Sequence, residues 1–281
     1  MIKKIIYIIL GIAVFGLGIA GLKYGKTLYN FFHMEMIKHS ENELYFVLGG
    51  GSNSGLVLGE DKAVLIDTKM GNYAKRLHKM IKDKIGGKEL IIINTHIHGD
   101  HTRGNHLYNA DQIFAGDYSE EFWNKVEGNE NLPNQWINKR TTIEIGNEII
   151  EVIPIGSNHT KADLFVYLHS NKILFTGDVF MHNMHAVIID KTVPDVYNWE
   201  STLKKYASGD LEVNIVVPGH GPLAQKEDLL EYAEYFDDFK NSENSLKKLR
   251  KKYRKWDALP GMANSKKTFN YFKDLNENLR P

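Results

Sequence analysis

Four side chains able to ligate a metal ion sit within six residues: His96, His98, Asp100 and His101, in the run Thr95-His96-Ile97-His98-Gly99-Asp100-His101-Thr102. Imidazole nitrogen and carboxylate oxygen are donors that zinc accepts, and iron and manganese accept them too. Alternate residues of a tight loop can aim His96 and His98 at one ion while Asp100 and His101 face a second. The run follows residues 90–93, a continuous apolar stretch expected of a strand buried on both faces. Ligand sites in α/β sheets form in the loops beyond the carboxyl ends of strands, so position reinforces residue type. Cysteine is absent from all 281 residues, which excludes disulfides, thiolate zinc sites, iron–sulfur clusters and cysteine nucleophiles. Twelve histidines remain for metal chemistry.

The elements that must position these residues read as one α/β domain. Residues 43–48, 56–58 and 63–66 have the composition of short strands, interrupted by Gly49-Gly50-Gly51-Ser52. That glycine stretch lacks the Lys-Ser/Thr of a phosphate-binding loop and the spacing of a dinucleotide site. It reads as a flexible turn, able to overhang a site. Residues 73–84 have helical spacing, with Leu77, Met80 and Ile81 on one face and lysines on the other. Further strands are expected at 113–114, 142–145, 148–155, 164–168, 173–175 and 215–217, with turn residues at Gly146-Asn147 and Ser170-Asn171. From about Gln225 the chain is helical in pattern and highly charged. The basic run from Leu246 to Trp256 follows acidic residues from Glu227 to Asp238, and pairing between the two accounts for the charge without a partner. Equal numbers of basic and acidic residues, 35 of each, argue against a general nucleic-acid binder.

The amino terminus reads differently. Residues 5–22 are an uncharged 18-residue run between Lys3-Lys4 and Lys23, with Lys26 beyond. As a helix it would span roughly 27 Å, enough for a thin hydrocarbon core. The expectation is a transmembrane helix over residues 1–30 that makes the lipid bilayer a partner and leaves the catalytic domain exported. The rival is a cleaved signal sequence, with Gly18 and Ala20 before the cleavage site and a secreted or periplasmic product. A buried core helix is a third reading. The remaining chain divides into a domain over 31–240 and a charged helical extension over 241–281.

Beyond the first motif, the sequence resembles the metallo-β-lactamase-fold superfamily of binuclear metallohydrolases, from about Glu43 to about Glu231. Val64-Leu65-Ile66-Asp67 is similar to that family's early strand ending in a supporting Asp. Ser157-Asn158-His159-Thr160 with Asp163 resembles the segment supplying a third histidine, Phe175-Thr176-Gly177-Asp178 the strand ending in a bridging carboxylate, and Val217-Pro218-Gly219-His220-Gly221 the segment supplying the last histidine. All appear in the family's order. The resemblance implies an αββα sandwich with two divalent metal ions, zinc first and iron or manganese as alternatives. It implies His96, His98 and His159 on one ion, Asp100, His101 and His220 on the other, and Asp178 between them. The implied chemistry is hydrolysis of a small ester, lactone, thioester or related substrate by an activated water, with Asp100 as the catalytic residue that orients the nucleophile and passes a proton to the leaving group.

Two departures concern substrate. The β-lactamases of the family usually carry Cys or Ser where this chain has Asp178, and many carry Lys where it has Met181. Both argue against β-lactams as the main substrate, which leaves that activity as a further alternative. A mononuclear iron oxidoreductase of dioxygenase type on the same fold is the other alternative. His182 and His185 are expected to be loop histidines, with a place at the substrate mouth as the second reading. His106 is expected to pack on a helix face. Trp123, Trp136 and Tyr197 are expected to pack, or else to shape an apolar pocket.

Overall fold

The computed structural model describes residues 33–278, apart from 41–42, 210, 242 and 260–261. The first sheet has seven strands in sequence order: β1 (Met34–Ser40), β2 (Leu44–Gly49), β3 (Ser54–Leu58), β4 (Lys62–Ile66), β5 (Glu89–Ile93), β6 (Gln112–Gly116) and β7 (Gln135–Ile137). Strands β1 to β4 pair antiparallel, and β4 to β7 pair parallel. The second sheet is β8 (Thr141–Ile145), β9 (Glu148–Gly156), β10 (Asp163–Leu168), β11 (Ile173–Met181) and β12 (Ile215–His220), antiparallel except for the β11–β12 pair. Parallel neighbours require a crossover, and the crossovers place helices on the outer faces. Between β4 and β5 runs α1 (Gly71–Ile85); the short α2 (Gly99–Thr102) follows β5, α3 (Glu120–Glu127) follows β6, and α4 (Val196–Ser208) joins β11 to β12. After β12 come α5 (Asp228–Lys240), α6 (Leu246–Lys252) and α7 (Ser265–Asn278).

Alternation along the strands builds the layers. Phe46, Val64, Ile66, Ile91 and Ile93 of the first sheet meet Val152, Leu164, Val166 and Phe175 of the second in one buried cluster between the sheets. Leu65, Leu90 and Ile92 point the other way, onto Leu77 and Ile81 of α1. On the far side Trp199, Leu203, Tyr232 and Phe236 cover the second sheet, joined by Leu249, Tyr253 and Phe272 from beyond residue 240. The result is two mixed sheets face to face with helices outside.

Strands β1 and β7 and helices α3 and α4 were not among the expected elements. Ser119 caps α3, its hydroxyl accepting from the Phe122 amide, and the Asp195 carboxylate caps α4 through the amides of Tyr197 and Asn198. The apolar run at 5–22 lies outside the described residues. Among those described, no helix is long and apolar enough to cross a membrane.

Candidate metal centre

The carboxyl ends of the strands from both sheets converge at one edge of the sandwich. Asp67 follows β4, His96 and His98 follow β5, Asp178 lies near the end of β11, and His220 closes β12. His159 comes from the loop between β9 and β10. Two groups of potential metal-holding side chains result: His96, His98, His159 and Asp178, all buried, and Asp100, His101 and His220. Within each group the ligand atoms lie within 4.8 Å of one another. All seven residues singled out from the sequence are therefore brought together.

Asp178 stands between the groups. One carboxylate oxygen, Oδ2, lies 3.4 Å from His159 Nε2 and 3.7 Å from His96 Nε2. The other, Oδ1, lies 3.2 Å from His101 Nε2 and 3.1 Å from His220 Nε2, which also reaches Oδ2 at 3.2 Å. Asp100 Oδ2 is 3.3 Å from His220 Nε2 and 3.7 Å from His101 Nε2. Close backbone approach makes this possible. A Cβ on Gly219 would collide with Asp178 Oδ1, and one on Gly177, whose φ is +50°, would collide with Thr95 Oγ1.

Buried neighbours orient the donors. The Thr95 hydroxyl and amide both donate to Asp67, each at 2.8 Å. With its proton committed, Thr95 Oγ1 must accept from His96 Nδ1 at 3.1 Å, which turns the Nε2 lone pair towards the cluster. His101 Nδ1 donates to the same Asp67 at 2.7 Å, leaving its Nε2 inward. Asp163 shapes the His159 loop, its carboxylate accepting from the amides of Asn158 at 3.1 Å and Thr160 at 2.9 Å and from the Thr160 hydroxyl. Burial pushes the Asp163 carboxyl up to about 7 against the pull of these donors.

The donor set fits metal ions. His96 Nε2, His101 Nε2 and Asp178 Oδ1 are buried and make no hydrogen bond. Such orphans cost about 1–3 kcal/mol each unless something occupies the space between them. His98 Nδ1 and His159 Nε2 approach to 2.9 Å. Two nitrogens on one tetrahedral zinc at about 2.05 Å would stand about 3.3 Å apart, so both can face a common ion. Burial holds His98 down at about 4 and His159 at about 3, and it drives His96 well below the usual imidazole range. Neutral imidazoles are what a metal requires. For Asp100, burial pushes upward but His101 and His220 prevail, leaving the carboxyl at about 2.

An unanticipated lysine holds the glycine turn. Lys69 is fully buried; its Nζ donates to the carbonyl of Val47 at 3.2 Å, of Gly49 at 2.6 Å and of Ser52. Three acceptors match the three N–H groups of an ammonium. Ser52 Oγ donates to the Asp100 carbonyl at 2.6 Å, and Asn53 Nδ2 donates to the carbonyls of Pro218 and Gly221 at 2.9 Å. The turn is thus packed rather than free, and it ties the segments carrying Asp100 and His220 together.

The family model of the metallo-beta-lactamase superfamily matches residues 47–220, which contain all seven donors. The chain belongs to the metallo-β-lactamase superfamily. Its members are metal-dependent hydrolases. Curated relatives of this superfamily include "Metallo-beta-lactamase type 2" of Bacteroides fragilis, 25% identical over 186 residues (65% of this chain, 74% of the relative), and that of Bacillus cereus, 27% identical over 194 residues (66% and 73%). Among solved superfamily structures, a metallo-beta-lactamase from Pontibacter korlensis shares the fold at a TM-score of 0.63 and 21% identity, covering 73% of this chain and 100% of that one. TMB-1 matches at 0.57 and 25%, covering 72% and 98%.

The other singled-out residues are not among the two groups of potential metal-holding side chains. Trp123 is buried against Tyr118 and Trp136, and Tyr197 is exposed near Lys240. His106 meets Asn131, and His182 meets the Pro222 carbonyl and Asp228. His185 is buried rather than an exposed loop residue, bonded to Tyr235 and Ser265. Met181 is wholly buried, so it presents nothing to a substrate. Beside the donors lies a cavity of about 230 Å³ lined by Met70, Arg103, Glu127, Lys191 and Met262 among others. A larger depression of about 470 Å³, around His78, Lys82 and Asp111, opens at the amino end of β5, opposite the potential metal-holding groups.

Proposed function

We propose that this protein is a binuclear metal-dependent hydrolase of small esters, lactones, thioesters or related substrates, loaded with two divalent ions, zinc foremost. The observation that carries the reading is Asp178, whose buried carboxylate lies within 3.7 Å of imidazole nitrogens from both groups, His96 and His159 on one side and His101 and His220 on the other. His96, His98 and His159 would hold one ion, Asp100, His101 and His220 the other, and Asp178 both. When bound, such ions lower the pKa of water to roughly 7 and polarise a carbonyl oxygen.

The chain's own residues do the rest. Asp67 and Thr95 fix the tautomers of His96 and His101. Asp100 is the donor side chain most open to the cavity, at 21% exposure, and its His101 and His220 neighbours leave it ionised against the upward push of burial. It can orient an attacking water by accepting its hydrogen bond, then deliver that proton to the departing oxygen or sulfur. A second reading, β-lactam hydrolysis, is favoured by the relatives' name, but the side chain three residues after Asp178 is buried Met181. We further propose that residues 1–30 anchor the chain in a bilayer with the enzyme exported, supported by the uncharged run at 5–22; the alternative is a cleaved signal.

Turnover of an ester, lactone, thioester, phosphodiester and β-lactam panel, before and after chelation, tests this. Activity on an ester or lactone that chelation abolishes and zinc restores is expected, with Asp178→Ala losing more than about 100-fold in kcat/KM, beyond what loss of an outer hydrogen bond costs. Chelation-insensitive turnover, or none on any substrate, would overturn it.

A further inference from the structure

The cavity beside the metal-ligating groups has a wall that comes from outside the matched family segment. Leu259 and Met262 line it, 39 and 42 residues past His220, together with Met70, Val187 and Ile189. This wall is built in. The Asp257 amide donates to the Asn183 carbonyl at 2.7 Å, and the His185 amide donates to the Asp257 carbonyl at 3.0 Å. On the other side, Ala263 and Phe272 are buried in the main core, and His185 reaches Ser265 Oγ at 3.3 Å. The segment carrying Leu259 and Met262 is therefore pinned at both ends to the loop that follows β11, the strand of Asp178.

The wall leaves apolar surface facing water: Met262 is 53% exposed and Met70 37%. Cations also line this cavity. Arg103 is occupied by Glu127 at 2.6 Å, whereas Lys191 makes no ion pair among the described residues. A cavity of about 230 Å³ is smaller than those that take drug-sized ligands. We infer that the segment after α6 is a specificity element, and that the pocket selects a small ester or thioester with a short apolar acyl arm lying against Met70, Val187, Ile189, Leu259 and Met262 and a negative group elsewhere on the molecule held by Lys191. This deepens the hydrolase reading and rests on it.

The test is an acyl-length series of phenyl and 3-carboxyphenyl esters, from acetate to octanoate, with the zinc-loaded full-length protein. For the protein itself, kcat/KM should rise about fourfold per added methylene until the cavity fills, from about 0.8 kcal/mol per buried methylene. Leu259→Ala and Met262→Ala should lower the hexanoate-to-acetate ratio at least threefold; the second, at an exposed position, guards against misfolding of the first. Ile149→Ala, an exposed apolar residue outside the cavity, should leave that ratio as it was. Lys191→Met should raise KM for the 3-carboxyphenyl esters about tenfold and erase the preference over phenyl esters. A flat length series, or ratios unmoved by all three variants, would overturn the inference. If no ester is turned over, the hydrolase reading fails instead. Calorimetric binding of octanoate against acetate then decides the pocket: tighter octanoate binding, lost in Met262→Ala, upholds it, and equal binding sinks it.

Discussion

Three of the potential metal-holding histidines are positioned by neighbouring residues, and the hold is as specific as the imidazole itself. His96 and His101 take their tautomers from Thr95 and Asp67, and the loop carrying His159 is wrapped around the Asp163 carboxylate. Replacing Asp163 by Asn keeps the size but exchanges an acceptor oxygen for a donor that faces other donors. Asp163→Asn should weaken metal affinity about 10–100-fold, as loss of outer hydrogen bonds around ligands does. Zinc competition against a chromophoric chelator reads this directly, and an unchanged affinity would remove Asp163 from the site's support. At this scale much was legible: histidines and carboxylates in tight motifs at strand ends announce metal chemistry before any coordinates. Lys69 was not legible. A lysine in a loop is ordinarily solvated, and only the fold shows three carbonyls from a turn seventeen to twenty-two residues earlier closing round its ammonium.

Elements rather than single residues decide how firmly the two halves of the site are joined. The turn between β2 and β3 bonds to the Asp100 segment through Ser52 and to the His220 segment through Asn53, and Lys69 anchors it. Lys69→Met would leave three buried carbonyls without their donor, so it should cost about 3 kcal/mol of stability in urea unfolding. A loss below about 0.5 kcal/mol would mean that the turn holds itself. The segment after α6 offers a pH-dependent counterpart. Burial holds the His185 imidazole at about 4, below its ordinary 6.5. The unfolded chain then binds more protons than the folded one as pH falls through 6.5 towards 4, so stability falls with acidification across that window. The contribution lost by pH 5 is about 2 kcal/mol. His185→Gln should therefore show a shallower loss between pH 7 and pH 5 in chelator-treated protein, measured by denaturant midpoint. Parallel slopes would show that His185 titrates freely. Sequence patterning located most of these elements. Helix α4 escaped because its apolar positions Val196, Trp199, Leu203 and Tyr206, although helically spaced, sit among polar residues. Edge strand β7 has only three residues beside Pro133, too few for a period-two signal.

For the molecule as a whole, two sheets close on one core and leave their carboxyl-end loops at a common edge. Each sheet contributes donors to both groups' surroundings, so ion binding at that edge couples the two halves of the sandwich. Zinc at a thousandfold excess over its dissociation constant would add about 4 kcal/mol per site to folding stability. A clear fall in Tm on chelation is therefore expected, and an unchanged Tm would contradict coupling between metal and fold. The layer order followed from the sequence because buried strands, amphipathic α1 and the family's motif order agree. The pocket did not follow, because Met70, Lys191, Leu259 and Met262 come from separate loops that only folding brings to one cavity. The most direct measurement is the elemental content of the full-length protein purified without added metal. Two zinc ions per chain, falling to one or none in Asp178→Ala, is the expected result; a single iron per chain, or no bound metal, would contradict a binuclear hydrolase.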